Sequence, residues 1–191
     1  EVYGMTPVVR VYDDNPKMIS RYQDVGAYGI QVPMVHTAKQ AEKIVRAAKF
    51  IPSGVRGMSG GRGTRWGRIE KYRFVSNEET LIAVMCESKE GLENIEEIAK
   101  VPGIDSIFIG AFDLSQSLGV AGDITHPVVE EAIERILNAC KNNGVIPGIV
   151  APTLEVARRR IEQGFLYITI LDDMAFFADA VSKRLNEIKM L

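Results

Sequence analysis

Six short apolar runs rich in Val and Ile punctuate the chain, at 7–12 (PVVRVY), 28–33 (YGIQVP), 81–86 (LIAVMC), 104–110 (IDSIFIG), 145–150 (VIPGIV) and 166–171 (LYITIL). Most are near-continuous rather than alternating, the pattern of strands covered on both faces. Amphipathic stretches lie between them, opened by residues that start helices. Asn15 precedes Pro16, Thr37 stands three residues before Gln40 as in a capping box, and Ser88 opens 90–100. Thr125 precedes Pro127 and a long helix to Asn143, Thr153 opens 154–163, and Asp172 opens the last helix.

Strand and helix in strict alternation imply parallel strands joined by right-handed crossovers. Six units are visible. Two more, at about 30 residues each, would reach roughly the size of a complete barrel of this kind. The expected class is α/β: a (β/α)8 TIM barrel, one partial domain over 1–191, with the first one or two βα units missing from the chain. Glu1 in place of a Met adds to the expectation of N-terminal truncation. A doubly wound open sheet is the competing architecture, but no GxGxxG follows the first strand to suggest dinucleotide binding. One segment breaks the rhythm, the Gly- and Arg-rich connection 51–77, which suits either anion binding or a solvated loop resting on a neighbouring subunit.

Composition narrows the partners. A net charge of −2 with no long Lys/Arg run argues against nucleic acid as a main partner. The apolar runs fall well short of the ~20 residues of a membrane helix, and no signal peptide is visible. Cys86 and Cys140 form neither CxxC nor a zinc spacing, so a cytoplasmic, reduced protein is expected.

In a barrel, chemistry gathers at the C-terminal ends of the strands. Glu87 directly follows the run 81–86, and Asp113 closely follows 104–110. Adjacent strands lie about 4.8 Å apart, so these carboxylates can share one hard divalent cation, Mg2+ or Mn2+, with open positions for water and a chelating 2-oxo acid. The plain alternative is that both are acidic residues at helix starts. Arg10, flanked by valines in the first run, either grips a substrate carboxylate and polarises a carbonyl or forms a structural ion pair.

Longer blocks are more specific. PVVRV at 7–11, GAYGIQVPMVHTAKQAEKIV at 26–45, PSGVRG at 52–57 and CESKEGLENIEEIAKVPGIDSIFIGAFDLSQSLG at 86–119 resemble the HpcH/HpaI family of class II, metal-dependent pyruvate aldolases. The resemblance implies a barrel that makes or breaks a carbon–carbon bond in 4-hydroxy-2-oxo acids through a pyruvate enolate. It casts Glu87 and Asp113 as ligands of a divalent cation (Mg2+ or Mn2+, with Co2+ as an alternative) and Arg10 as the group facing the oxo acid. The backbone of Gly110, Ala111, Phe112 and Asp113 would hold the substrate carboxylate. The family's base, a histidine paired with an acidic residue, belongs to an earlier strand, and neither His36 nor His126 matches it. His36 is expected to be a solvated loop residue and His126 an exposed one.

Two departures bear on specificity. Met85 stands where the family often has Gln, and Ala111-Phe112 replaces a usual Pro-Ala, making the pocket more apolar or more crowded. Alternatives are a related enolate-chemistry lyase (an acyl-CoA lyase or an oxaloacetate decarboxylase) and a non-catalytic binding protein derived from the barrel. The stripe Phe176, Phe177, Val181, Leu185 and Ile188 has helical spacing. The resemblance implies that such a C-terminal helix is exchanged in a homo-oligomer, a hexamer.

Overall fold

In a computed structural model, which describes residues 3–58, 61–170 and 172–190, the six apolar runs become one parallel sheet. Its strands are β1 (Val8–Arg10), β2 (Gly29–Val32), β3 (Leu81–Cys86), β4 (Ser106–Ile109), β5 (Ile146–Ala151) and β6 (Tyr167–Ile170). β3 and β5 are as long as their apolar runs, whereas β1, β2, β4 and β6 are shorter. Leu171, at the end of the sixth run, and Ser59 and Gly60 of the Gly/Arg-rich connection lie outside the described residues.

Each strand pairs with its successor in the chain, giving the order β1 to β6 without reversal. Right-handed crossovers that always advance in one direction put every connecting helix on the same face of the sheet. The doubly wound alternative requires a reversal of strand order, and this sheet has none.

The helices are α1 (Pro16–Asp24), α2 (Ala38–Ala48), α3 (Tyr72–Glu79), α4 (Lys89–Glu93), α5 (Ile95–Ala99), α6 (Ala111–Ser117), α7 (Pro127–Asn143), α8 (Leu154–Gln163) and α9 (Asp173–Lys189). Most start signals act as expected: the side chains of Asn15, Thr37, Ser88, Thr153 and Asp172 each accept a first-turn amide. His126, rather than Thr125, caps α7 through Nδ1. The single helix expected over 90–100 is instead broken at Asn94, whose side-chain amide donates to the His36 carbonyl at 2.9 Å.

The two sheet faces differ in kind. Ile30, Val32, Ile82, Val84, Ile107, Ile109 and Ile149 meet the helices in one continuous apolar core with Ile44, Ile95, Ile133 and Ile136. Residues of the opposite parity line the other face, because side chains alternate along a strand. There Tyr167 Oη donates to Gln31 Oε1 at 2.9 Å, joining β6 to β2. On a flat sheet four inter-strand steps would hold those strands about 19 Å apart, beyond the reach of the two side chains. The sheet is therefore curled, with Gln31 and Tyr167 on its concave side.

Two further features depart from expectation. Arg56, in the Gly/Arg-rich connection, faces inward rather than outward. It is 5 % exposed, pairs with Asp24 at 2.9 Å and packs 4.6 Å from the Phe50 ring centroid. Further along, the connection carries a 3-10 turn at Arg62–Thr64 and the start of α3. Among the described residues, no helix is long and apolar enough to cross a membrane.

Candidate active site

Glu87 directly follows β3, where Cys86 pairs with Ile109 of β4, so the carboxylate emerges beside Gly110 at the same end of the sheet. Glu87 is 2 % exposed, a costly position for a carboxylate unless its oxygens are satisfied. Oε1 accepts the Met34 amide at 2.8 Å, whereas Oε2 has no protein partner. A Cβ on Gly110 would lie 2.4 Å from that Oε2, so only glycine leaves room for it.

Burial pushes the Glu87 carboxyl above its usual range. The Met34 amide opposes that shift, Asp113 adds to it by like-charge repulsion, and Arg10 and His36 oppose it by opposite charge. Asp113 and Arg10 thus both lie within electrostatic range of Glu87. Asp113 is exposed in the first turn of α6, following the buried Ala111 and the half-exposed Phe112. The amides of that turn have no intrahelical acceptor, as at any helix start. Arg10 is exposed at the end of β1, in register with Gln31 on the concave side, and forms no ion pair among the described residues.

The arrangement suits a hard cation. Glu87 Oε2 is a buried carboxylate oxygen without a donor, Gly110 sets no bulk against it, and Asp113 stands in the adjoining first turn of α6. No cluster of three or more His, Cys, Asp or Glu converges among the described residues. Mg2+ or Mn2+ does not require one, because such ions retain several waters or substrate oxygens.

Below Glu87 the concave side carries a floor that sequence reasoning did not anticipate. Gly148 makes room for two rings, since a Cβ there would meet Phe108 at 2.7 Å and Tyr167 at 3.1 Å. Those rings pack edge to face with centroids 5.1 Å apart. The Gln31 amide lies 3.3 Å from Met85 Sδ, so Met85 is part of this floor. His36 is half-buried rather than solvated, with Nδ1 2.7 Å from Ser88 Oγ. A shallow groove beside Glu96, Glu131 and Arg135 lies away from this end of the sheet and shares no lining residue with it.

The chain matches the profile of the HpcH/HpaI aldolase/citrate lyase family over residues 1–180. It belongs to that family. Among its relatives, a hydroxypyruvate/pyruvate aldolase of Chromohalobacter salexigens is 40% identical over 189 residues, covering 98% of this chain and 74% of the relative. A 4-hydroxy-2-oxovalerate aldolase of Rhodococcus jostii is 37% identical over 174 residues, covering 91% of this chain and 67% of the relative. An HpcH/HpaI family structure from Burkholderia cenocepacia superposes with a TM-score of 0.91 at 36% identity, covering 96% of this chain and 74% of that one.

Proposed function

We propose that the chain is a divalent-metal-dependent aldolase that cleaves 4-hydroxy-2-oxo acids to pyruvate and an aldehyde, and runs the reverse condensation. The observation that carries this reading is the buried, donorless Oε2 of Glu87, held beside Gly110 and opposed by Asp113. Relatives named as aldolases of pyruvate and 4-hydroxy-2-oxovalerate support the substrate class.

Glu87 and Asp113 are the two protein ligands in this proposal. A divalent cation (Mg2+, Mn2+ or Co2+) held there would supply Lewis-acid polarisation of the 2-oxo group. Arg10 presents fixed positive charge where negative charge develops on the oxo oxygen, a contribution that strengthens as water is excluded. The first-turn amides after Gly110, at Ala111, Phe112 and Asp113, hold the substrate carboxylate by the same partial charge that attracts anions to helix starts. Exposed Phe112 stands beside them and limits the aldehyde side of the pocket.

In the same reading the six βα units form the greater part of a (β/α)8 barrel in a single domain. The curl of the sheet and its strand order support this. The protein is a homo-oligomer, with α9 as the contact element. None of the described residues of that helix is buried, and Phe176 and Phe177 are 60% and 68% exposed. The two unpaired, buried thiols fit a reduced cytoplasmic setting.

The test is a pyruvate-release assay on 4-hydroxy-2-oxo acids before and after EDTA. The proposal expects release that chelation abolishes and Mn2+ restores. Release that EDTA leaves unchanged removes the metal mechanism, and no release from any such acid in the metal-loaded protein removes the aldolase reading.

A further inference from the structure

The loop that follows β2 runs directly over Glu87. Its Met34 has φ of 54°, in the left-handed region that a residue with a Cβ seldom adopts. That conformation aims the Met34 amide at Glu87 Oε1, 2.8 Å away, while the next amide, of Val35, donates to the Met85 carbonyl at 3.2 Å. The Met34 side chain is 48% exposed, so side-chain packing does not account for the strain. What holds the loop is Gln40, in the first turn of α2. Its Oε1 accepts the His36 amide at 2.9 Å, and its Nε2 donates to the Met34 carbonyl at 3.1 Å.

This is a capping box displaced by one residue. Thr37 Oγ1 accepts the Gln40 amide at 3.2 Å, as a helix cap should. The Gln40 side chain, however, reaches past the cap residue to His36 and Met34 instead of returning to the Thr37 amide. A device that ordinarily finishes a helix is here bonded to the loop that clamps Glu87.

We propose that Gln40 and the left-handed Met34 are positioning residues of the cation site. Gln40 grips the loop at both of its amide atoms, and the loop in turn holds one oxygen of Glu87. The other oxygen, Oε2, is thereby fixed toward the metal without competition from a protein donor. Partners that orient a ligand in this way ordinarily carry about 10- to 100-fold of metal affinity. The inference rests on the reading of Glu87 as a cation ligand, and the test separates the two.

The experiment is Mn2+ binding measured by electron paramagnetic resonance on the intact chain, with thermal unfolding recorded alongside. Glu87→Gln tests the cation site itself. Gln40→Leu removes both loop contacts and is expected to weaken Mn2+ about tenfold or more; Gln40→Glu keeps the acceptor for His36 and should fall between Leu and the parent. Met34→Gly allows the same backbone conformation and should stay within about twofold of the parent, whereas Met34→Val, β-branched and averse to positive φ, should weaken binding. The Met34 pair remains informative where Gln40→Leu does not fold. Lost affinity in Glu87→Gln with parental affinity in Gln40→Leu, or in Met34→Val where Gln40→Leu does not fold, overturns the clamp. Parental affinity in Glu87→Gln overturns the cation site instead.

Discussion

At the scale of single residues, the site depends on what surrounds the Glu87 carboxylate. Gly110→Ala drives a methyl into the buried Glu87 side chain, against both Oε2 and its Cβ. The carboxylate must swing away, so Mn2+ affinity is expected to fall at least tenfold by calorimetric titration; an unchanged affinity would show that Oε2 is not the ligand atom. The cysteines give a second residue-scale prediction. Burial pushes the Cys86 thiol up to about 12, with Cys140 and Glu87 adding to the shift, and burial does the same to Cys140. The thiolate is the reactive form, so neither should react with a thiol reagent at pH 8 until denaturant is added. Rapid native labelling of either would contradict their burial.

At the scale of elements, two predictions concern the layer between sheet and helices. Ile107 is fully buried at the centre of β4, so Ile107→Ala should cost about 2–5 kcal/mol in denaturant unfolding. Arg160 of α8 is 3 % exposed and reaches Glu130 of α7 at 2.7 and 2.8 Å. Burial raises the Glu130 carboxyl, but the hydrogen bond and charge of Arg160, helped by Arg159, outweigh it and leave the group below its usual range. A lowered folded-state pKa means stability that is present above the ordinary carboxylate range and lost as pH falls through the lowered value. Arg160→Met should therefore reduce stability at pH 6 by about 2 kcal/mol, and the difference from the parent should shrink toward pH 3 in thermal unfolding. A gap that stays constant with pH would assign the loss to packing.

The elements themselves were legible because their signals are local. Short apolar runs marked every strand, and cap residues marked most helix starts. Asn94 hid its break because the partner, the His36 carbonyl, is distant in sequence. Glu87 and Asp113 stood out as candidates because strand ends concentrate chemistry in such folds, whereas the Met34 amide beside Glu87 did not. Nothing in a methionine announces a left-handed backbone or a donor aimed across strands. Gln40 was visible only as half of a helix cap, and the Gln31–Tyr167 bridge joins residues with no pattern in common.

At the scale of the whole molecule, the proposed reading puts substrate on the concave side of the curled sheet, at the C-terminal strand ends, while the helices pack on the other face. α9 follows β6 with its apolar side chains exposed. Sedimentation velocity is expected to show an oligomer that the double change Phe176→Ser and Phe177→Ser dissociates, and a monomer in the parent would remove α9 as a contact element. The most direct test of the catalytic account is anomalous diffraction at the manganese edge from crystals grown with Mn2+ and pyruvate. The account predicts a peak between Glu87 Oε2 and the Asp113 carboxylate, with the Arg10 guanidinium facing the bound oxo acid. A peak elsewhere, or one that touches neither carboxylate, would contradict it.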